Sequence, residues 1–290
     1  MRVLLIGSEG YAGSLLATEL NSKIDIDLYT CDLIENEFSK SNKHIQDDYA
    51  NLTSRFISQF DSILLFAAHS SVKQAMDNPE DAIKNNLLSQ LRLISNMNQR
   101  QLLVYASSGS VYDGYSNTFP NEESPISRAR NIYDFTKIAG DLMSSTMQKR
   151  LVGLRLGTLT GTSPNVRREL VVNKMTLDAF REGEILVSNE NSYRSCLDTR
   201  DFLDCIASIL REDDSIKEFE VFNLASYSLS IGEIASTTAD LFNAKLTFLP
   251  ATPSYDFTMS TNKFESWFRF KFRHDLKSSI KNLSNFYSQK

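Results

Sequence analysis

The sequence predicts an α/β protein: a doubly wound parallel sheet with a smaller, mixed C-terminal region packed on it. Three observations predict this. Short apolar runs recur along the first half, amphipathic stretches of helical length separate them, and a glycine-rich loop closes the first run. The runs are Val3–Ile6, Ile24–Leu28, Ile63–Ala67, Leu102–Tyr105 and Leu151–Leu154. Most are continuous rather than alternating, as suits parallel strands covered on both faces. Ala12–Asn21, Pro79–Met97 and Tyr133–Lys149 supply the helical stretches between them. Strand–helix alternation of this kind implies right-handed crossovers on both faces of one sheet. Past residue 155 the pattern loosens. Asn173–Arg181, Asp201–Leu210 and Ile231–Phe242 read as helices, with short apolar runs at Ile185–Val187, Val221–Leu224 and Leu246–Leu249.

Gly7, Gly10 and Gly13 form G-x-x-G-x-x-G directly after the first strand and ahead of a helix carrying Leu15, Leu16 and Leu20. The first glycine permits a tight turn, the second lets the backbone approach a pyrophosphate, and the third lets helix and strand pack closely. Tyr11 and Ala12 open the helix, whose free N–H groups and partial positive charge suit phosphates. Asp32 ends the second strand, about 20 residues on, where a carboxylate accepts ribose hydroxyls and repels a 2′-phosphate. The reading is a Rossmann-type dinucleotide site that favours NAD. Residues 1–160 are expected to form the NAD-binding domain and 161–290 the smaller substrate-binding region, interleaved with it.

Composition bounds the partners. The chain has 290 residues, 41% hydrophobic and 23% charged, with a net charge of −5. That balance suits a globular chain with a real core and leaves no basic face to follow a phosphate backbone, so no nucleic-acid partner is expected. Cys31, Cys196 and Cys205 lack metal-ligand spacing and read as reduced thiols,. No run approaches the roughly 18 apolar residues of a membrane span, and no leader is evident, so the cytoplasm is the expected location.

Tyr133 and Lys137 are spaced i, i+4 at the start of a predicted helix and share one face,. A nearby ammonium favours tyrosinate and makes the phenol a usable base closer to neutral pH than its ordinary value of about 10. In isolation the pair is a common surface contact. Its weight comes from Tyr105-Ala-Ser-Ser-Gly-Ser-Val-Tyr112, where an apolar strand runs into three serines at the end at which open α/β sheets place ligands,.

Taken in order, GSEGYAG, Asp32, FAAHSSV (66–72), Asn86, SSGSVY (107–112), YDFTK (133–137) and RSCLDTRD (194–201) resemble the extended short-chain dehydrogenases/reductases, the NAD-dependent epimerase/dehydratase branch that acts on nucleotide sugars. The resemblance implies Ser108 as the catalytic hydroxyl, Tyr133 as acid/base, and Lys137 as the residue that binds the nicotinamide ribose and tunes Tyr133. It places Ala67 and Ala68 along the cofactor and His69 and Ser110 toward the substrate. Asn86 matches an asparagine near the nicotinamide end, or equally a helix-packing amide. Arg194 matches an arginine that holds the nucleotide diphosphate, or is a surface arginine; Asn173 resembles a substrate-loop asparagine. Asp201 is expected to cap the helix that follows. The family also implies a homodimer through the helix that begins at Tyr133.

Related dehydratases and decarboxylases carry carboxylates just after the catalytic hydroxyl. Here Gly109 and Ser110 stand there, which points to an epimerase, at C4 by resemblance, with an NAD(P)H-dependent 4-ketosugar reductase as the competing reading and a non-catalytic NAD(H)-binding regulator as a third. Two departures are Asp113, where the family has glycine, and the absence of a second arginine near residues 250–260. The aromatic, basic stretch Trp267–Asp275 either reaches a substrate or packs.

Overall fold

A computed structural model describes residues 1–289. Its strands are β1 (Arg2–Ile6), β2 (Asp27–Asp32), β3 (His44–Gln46), β4 (Ser62–Leu65), β5 (Leu102–Ser108), β6 (Arg150–Leu156), β7 (Thr158–Thr160), β8 (Glu184–Val187), β9 (Tyr193–Asp198), β10 (Glu220–Leu224), β11 (Tyr227–Ser230) and β12 (Lys245–Phe248). The helices are α1 (Tyr11–Asn21), α2 (Ser54–Ile57), α3 (Val72–Asp77), α4 (Pro79–Ile83), α5 (Ser89–Asn96), α6 (Ile132–Ser145), α7 (Val171–Glu182), α8 (Thr199–Arg211), α9 (Ile231–Phe242), α10 (Asn262–Trp267) and α11 (Leu276–Tyr287).

Seven strands pair in the order β10-β6-β5-β4-β1-β2-β3, all parallel. The continuous apolar runs follow from this, since each central strand is buried on two faces. Val3, Leu5, Leu64, Leu102, Val104, Val152 and Leu154 meet α1 and α8 on one side. Leu4, Ile6, Ile63, Leu65, Leu103, Tyr105 and Leu151 meet Leu93 and Ile94 of α5 on the other. A three-stranded sheet, β11-β9-β7, and a two-stranded one, β12-β8, make up the smaller mixed part. There α7, α9 and α11 share a core with Ile185 and Val187.

The structure departs from the sequence reading in four places. β2 starts at Asp27, not Ile24. Ile24 is fully exposed in the preceding turn, while the strand itself, DLYTCD, is half polar and carries a weak apolar signal. The stretch Pro79–Met97 is α4 and α5 joined by a π-helical turn at Lys84–Leu88. Val221–Leu224 lies in the main sheet as its edge strand β10, beside β6. Asp198, not Asp201, caps α8, accepting from the Arg200 N–H at 2.9 Å. The Asp201 carboxylate instead accepts from Ser226 Oγ at 2.6 Å and from the backbone N–H groups of Arg273 and His274 at 3.0 and 3.2 Å. It thus fastens the C-terminal strap Trp267–Asp275, which packs: Phe264, Phe268, Phe270 and Phe272 form an edge-to-face cluster on Phe222.

A buried polar seam fixes α6 on the sheet. Tyr105 donates to Asp141 Oδ1 at 3.0 Å, and Arg155 Nε donates to Asp141 Oδ2 at 3.0 Å. Both charges are almost entirely enclosed, with side chains 4% and 3% exposed. Arg155 also donates to Tyr112 Oη at 2.5 Å, and Tyr112 donates to Asn223 Oδ1 at 3.0 Å. Breaking a buried pair strands an uncompensated charge. Asp141→Asn is therefore expected to destabilise the protein by roughly 3–5 kcal/mol, read as a lowered denaturant midpoint with an unchanged slope.

Candidate active site

The carboxyl ends of β1, β4, β5 and β6 open on one edge of the sheet, and the residues singled out in the sequence gather along it. Gly7 turns the chain at the end of β1 with φ +86°, a conformation glycine adopts freely,. A Cβ there would stand 2.3 Å from Ala67 N, so β1 and β4 approach backbone to backbone. At Gly13 a Cβ would sit 1.8 Å from Gly7 O, whereas at Gly10 the nearest atom would be 3.4 Å away. Gly10 is the N-cap of α1, and no side chain caps it. The N–H groups of the first turn therefore face the open cradle over Gly10, as a bound diphosphate requires.

Asp32 stands at the end of β2 beside the glycine loop. Its Oδ2 accepts the Glu9 N–H at 2.9 Å and its Oδ1 the Leu33 N–H at 2.8 Å. Glu9, inside the glycine loop, went unremarked in the sequence. It is buried, and its carboxylate accepts the backbone N–H groups of Glu37, Phe38 and Ser39 at 2.9, 2.6 and 3.2 Å. Burial works to raise its pKa, but the Ser39, Phe38 and Glu37 donors outweigh burial and hold the carboxyl below its ordinary value.

Two buried polar atoms on this edge lack a partner within the chain, His69 Nδ1 after β4 and Ser107 Oγ at the end of β5. With the free α1 N-terminus and the carboxylate on the ribose side, they fit a dinucleotide that would lie from Asp32 across Gly10 toward β5. Ala67 and Ala68, half-buried, follow β4 along this line. The Asn86 amide, turned inward by the π-helical turn, clamps His69: its Oδ1 accepts the His69 N–H at 2.8 Å, and its Nδ2 donates to His69 O at 3.3 Å and Thr136 Oγ1 at 3.1 Å.

Around β5 the chemistry-bearing groups converge. Asn131 caps α6, so Tyr133 and Lys137 lie in its first two turns. Lys137 Nζ donates to Ala106 O at 2.7 Å and lies 5.8 Å from the Tyr133 ring centre. Burial lowers the Lys137 ammonium to about 8, with Asp141 pulling the other way. Tyr133 faces Ser108. Burial raises the Tyr133 phenol above its ordinary value, the Ser108 hydroxyl and the Arg167 cation act to lower it, and Asp134 adds to the rise. Ser108 Oγ lies 2.9 Å from Ser110 Oγ, and Ser110 Oγ donates to Asp134 Oδ1 at 2.9 Å. Asp134, Tyr255 and Arg167 were not singled out in the sequence. Asp134 stood inside YDFTK; the other two carried no motif.

Arg194 and Asn173 are engaged within the chain. The Arg194 guanidinium donates to Tyr255 O, to Tyr193 O at 3.1 Å and to Ser254 Oγ at 2.7 Å. Asn173 is fully buried. Its Oδ1 accepts the Gly161 N–H at 3.1 Å, and its Nδ2 donates to Tyr11 Oη at 3.1 Å and Arg167 O at 2.8 Å. Tyr11 itself donates to Gly161 O at 2.7 Å, which ties the start of α1 to the segment after β7. Asp113 accepts the Asp256 N–H at 2.8 Å and pairs with Arg130 at 2.5 Å. Among the described residues no His/Cys/Asp/Glu cluster could hold a metal, and no helix is long and apolar enough to cross a membrane.

The last two glycines of the loop separate cofactor binding from folding. Gly10→Ala makes no closer contact than 3.4 Å, to Gly7 O, so it is expected to keep the thermal midpoint while weakening NAD at least about tenfold, because the methyl intrudes on the phosphate approach. Gly13→Ala collides with the loop backbone and is expected to lower the thermal midpoint itself. Calorimetric NAD titration beside thermal unfolding checks both.

Comparison with known proteins agrees with this geometry. Residues 3–225 match the NAD dependent epimerase/dehydratase family. UDP-glucose 4-epimerase of Mycoplasma genitalium is 26% identical over 339 aligned positions, covering 99% of this chain and 96% of that protein. Among solved structures, MoeE5 in complex with UDP-glucuronic acid and NAD superposes with a TM-score of 0.86 at 20% identity, covering 100% of this chain and 99% of that one. UDP-glucuronic acid 4-epimerase from Bacillus cereus superposes with a TM-score of 0.85 at 17% identity, covering 100% and 99%. With its parallel sheet, glycine loop and Ser–Tyr–Lys edge, the chain belongs to the NAD-dependent epimerase/dehydratase family.

Proposed function

We propose that the protein is a nucleotide-sugar 4-epimerase working through a transient keto sugar. The observation that carries the reading is the meeting of Tyr133, Ser108 and buried Lys137 at the end of β5, with no side chain at position 109. Curated relatives that are UDP-glucose and UDP-glucuronate 4-epimerases support the same reading.

NAD, when bound, supplies the hydride acceptor and donor. Tyr133 takes the proton from a sugar hydroxyl as the C–H bond at that carbon gives up its hydride, leaving a ketone. Ser108 faces the reacting oxygen and steadies its developing charge by hydrogen bonding. The Lys137 ammonium, anchored on Ala106 O, favours the phenolate while it exists and would hold the nicotinamide ribose,. The keto sugar turns over, hydride returns to its other face, and Tyr133 gives the proton back. No net oxidation remains.

Gly7, Gly10, Tyr11, Ala12 and Gly13 would cradle the diphosphate of NAD, and Asp32 its adenosine ribose. Ala67, Ala68 and Asn86 would line its nicotinamide half. His69, Ser110, Asn173 and Arg194 would border the sugar nucleotide, the last two by holding the walls of its pocket. The protein is proposed to work as a homodimer through α6, which exposes Phe135 and Leu142; light scattering should return twice the chain mass.

Protein denatured after purification should release stoichiometric NAD, and UDP-glucose or UDP-glucuronate should change configuration at C4 by proton NMR without net NADH formation. Tyr133→Phe should lower kcat at least about a hundredfold with NAD affinity nearly intact. Protein that emerges empty and consumes NADH with keto sugars would replace the epimerase by a ketoreductase. Collapse of NAD binding in Tyr133→Phe would remove the assigned role.

A further inference from the structure

One buried acid on the cofactor edge takes no part in the reaction above. Glu9 stands in the glycine loop between Gly7 and Gly10 and is 1% exposed. Its N–H donates to Asp32 Oδ2 at 2.9 Å. Its carboxylate reaches the loop that follows β2 and accepts three successive N–H groups there. These are Glu37, Phe38 and Ser39, at 2.9, 2.6 and 3.2 Å. Ser8 Oγ adds a longer contact at 3.4 Å, and Asn165 Nδ2 donates to the Glu9 carbonyl at 2.8 Å. Successive N–H groups aimed at one point make a concavity for an anion. Here the anion is the chain's own.

The loop held in this way is ordered from within by Asn36. Its Nδ2 donates to Ser41 O at 2.6 Å, and its Oδ1 accepts Ser39 Oγ at 2.7 Å and the Ser41 N–H at 3.2 Å. Asn21, at the end of α1, donates to Ser39 O at 3.1 Å. What the loop presents directly after Asp32 is Leu33 and Ile34, 66% and 48% exposed. Two exposed apolar side chains beside the carboxylate read as the ribose acceptor offer a face to a flat base.

We propose that Glu9 is a positioning residue for the adenosine half of NAD: it pins the loop after β2 to the glycine loop and so fixes Asp32, Leu33 and Ile34 before the cofactor arrives. The inference rests on the reading of Asp32 as the acceptor of the adenosine ribose. A wall set in advance removes the entropy cost of ordering it on binding. One acid thus joins the loop that approaches the diphosphate to the loop that meets the nucleoside. Charge by itself acts the other way. A carboxylate in the glycine loop repels a diphosphate, so the Glu9 charge opposes NAD and only its hydrogen bonds favour it.

The opposite signs decide the test. Glu9→Gln keeps the shape, removes the charge and leaves one acceptor oxygen for three donors. The full chain, freed of bound nucleotide, is titrated calorimetrically with NAD and with AMP at a temperature where thermal unfolding shows the variant folded. Both affinities are expected to fall by the same factor, at least about tenfold, the weight of one hydrogen bond to a charged group. An equal loss for AMP and NAD locates the effect at the adenosine half, which a general weakening of the fold would not do. Unchanged or tighter binding in Glu9→Gln overturns the inference, as does a loss in NAD that AMP does not share. Asn36→Ala loosens the same loop with Glu9 and its charge in place, and is expected to weaken both ligands as well. Should Glu9→Gln fail to fold, unmoved affinities in Asn36→Ala overturn the inference by themselves. Asp32→Asn separates the inference from the reading beneath it. A loss of AMP affinity there, beside intact affinity in Glu9→Gln, sinks the role of Glu9 alone. Unmoved AMP affinity in Asp32→Asn removes the ribose from Asp32, and the inference with it.

Discussion

The ion pair between Asp141 and Arg155 is the contact on which the site's geometry depends. Tyr133, Lys137 and Asp141 follow one another at i, i+4 and i+8 along α6, so a single face carries all three,. The last is clamped to β5 through Tyr105 and to β6 through Arg155. That fixes both the rotation and the height of the helix against the strand that ends in Ser108. A slip of one residue would turn Tyr133 away by about 100°. The clamp explains the presence of two charges in a dry interior, where they are poor sources of net stability but specify one register.

The clamp also sets the electrostatics. Lys137 is enclosed, and burial favours its neutral form; the Asp141 carboxylate one turn on offsets part of that cost. The ammonium stays compact against Ala106 O beside the Tyr133 ring. A helix face with a phenol, an ammonium and a carboxylate one turn apart thus serves at once as a packing device and as a source of perturbed protonation equilibria. Such coupling is common where sites are built on rigid elements rather than on loops.

The dinucleotide half and the Tyr–Lys pair were legible in the sequence because their signals are local. The spacing of Gly7, Gly10 and Gly13 reports backbone contact within one turn, and i, i+4 spacing reports one helix face. The parallel sheet was legible because double burial writes continuous apolar runs. Elements with weaker patterns were read less well: β2, half polar, was found with its start misplaced, and β3, β7 and β11 are too short to show a period. Arg194 and Asn173 show the limit of a motif. Their positions could be matched, but the partners that occupy their side chains come from residues 254–255 and from Gly161, Tyr11 and Arg167, which no spacing rule connects. Glu9 was hidden for the same reason. Its three backbone donors belong to a loop that follows another strand.

The missing carboxylate after Ser108 is a case where sequence and packing give different halves of one answer. The sequence shows glycine at 109 and serine at 110, and so no acid directly after Ser108. The structure shows why position 109 stays bare: a Cβ there would stand 2.4 Å from Met259 Cε and 2.8 Å from Phe257 Cε2. The segment that carries these two residues also carries Tyr255, which donates to Asp134. The C-terminal part therefore does two things at the same edge. It fills the space in which an acid on the loop would have stood, and it holds the carboxylate of α6 one hydroxyl behind that space. A carboxylate thus lies one serine hydroxyl away from Ser108, held by hydrogen bonds from Ser110 and Tyr255.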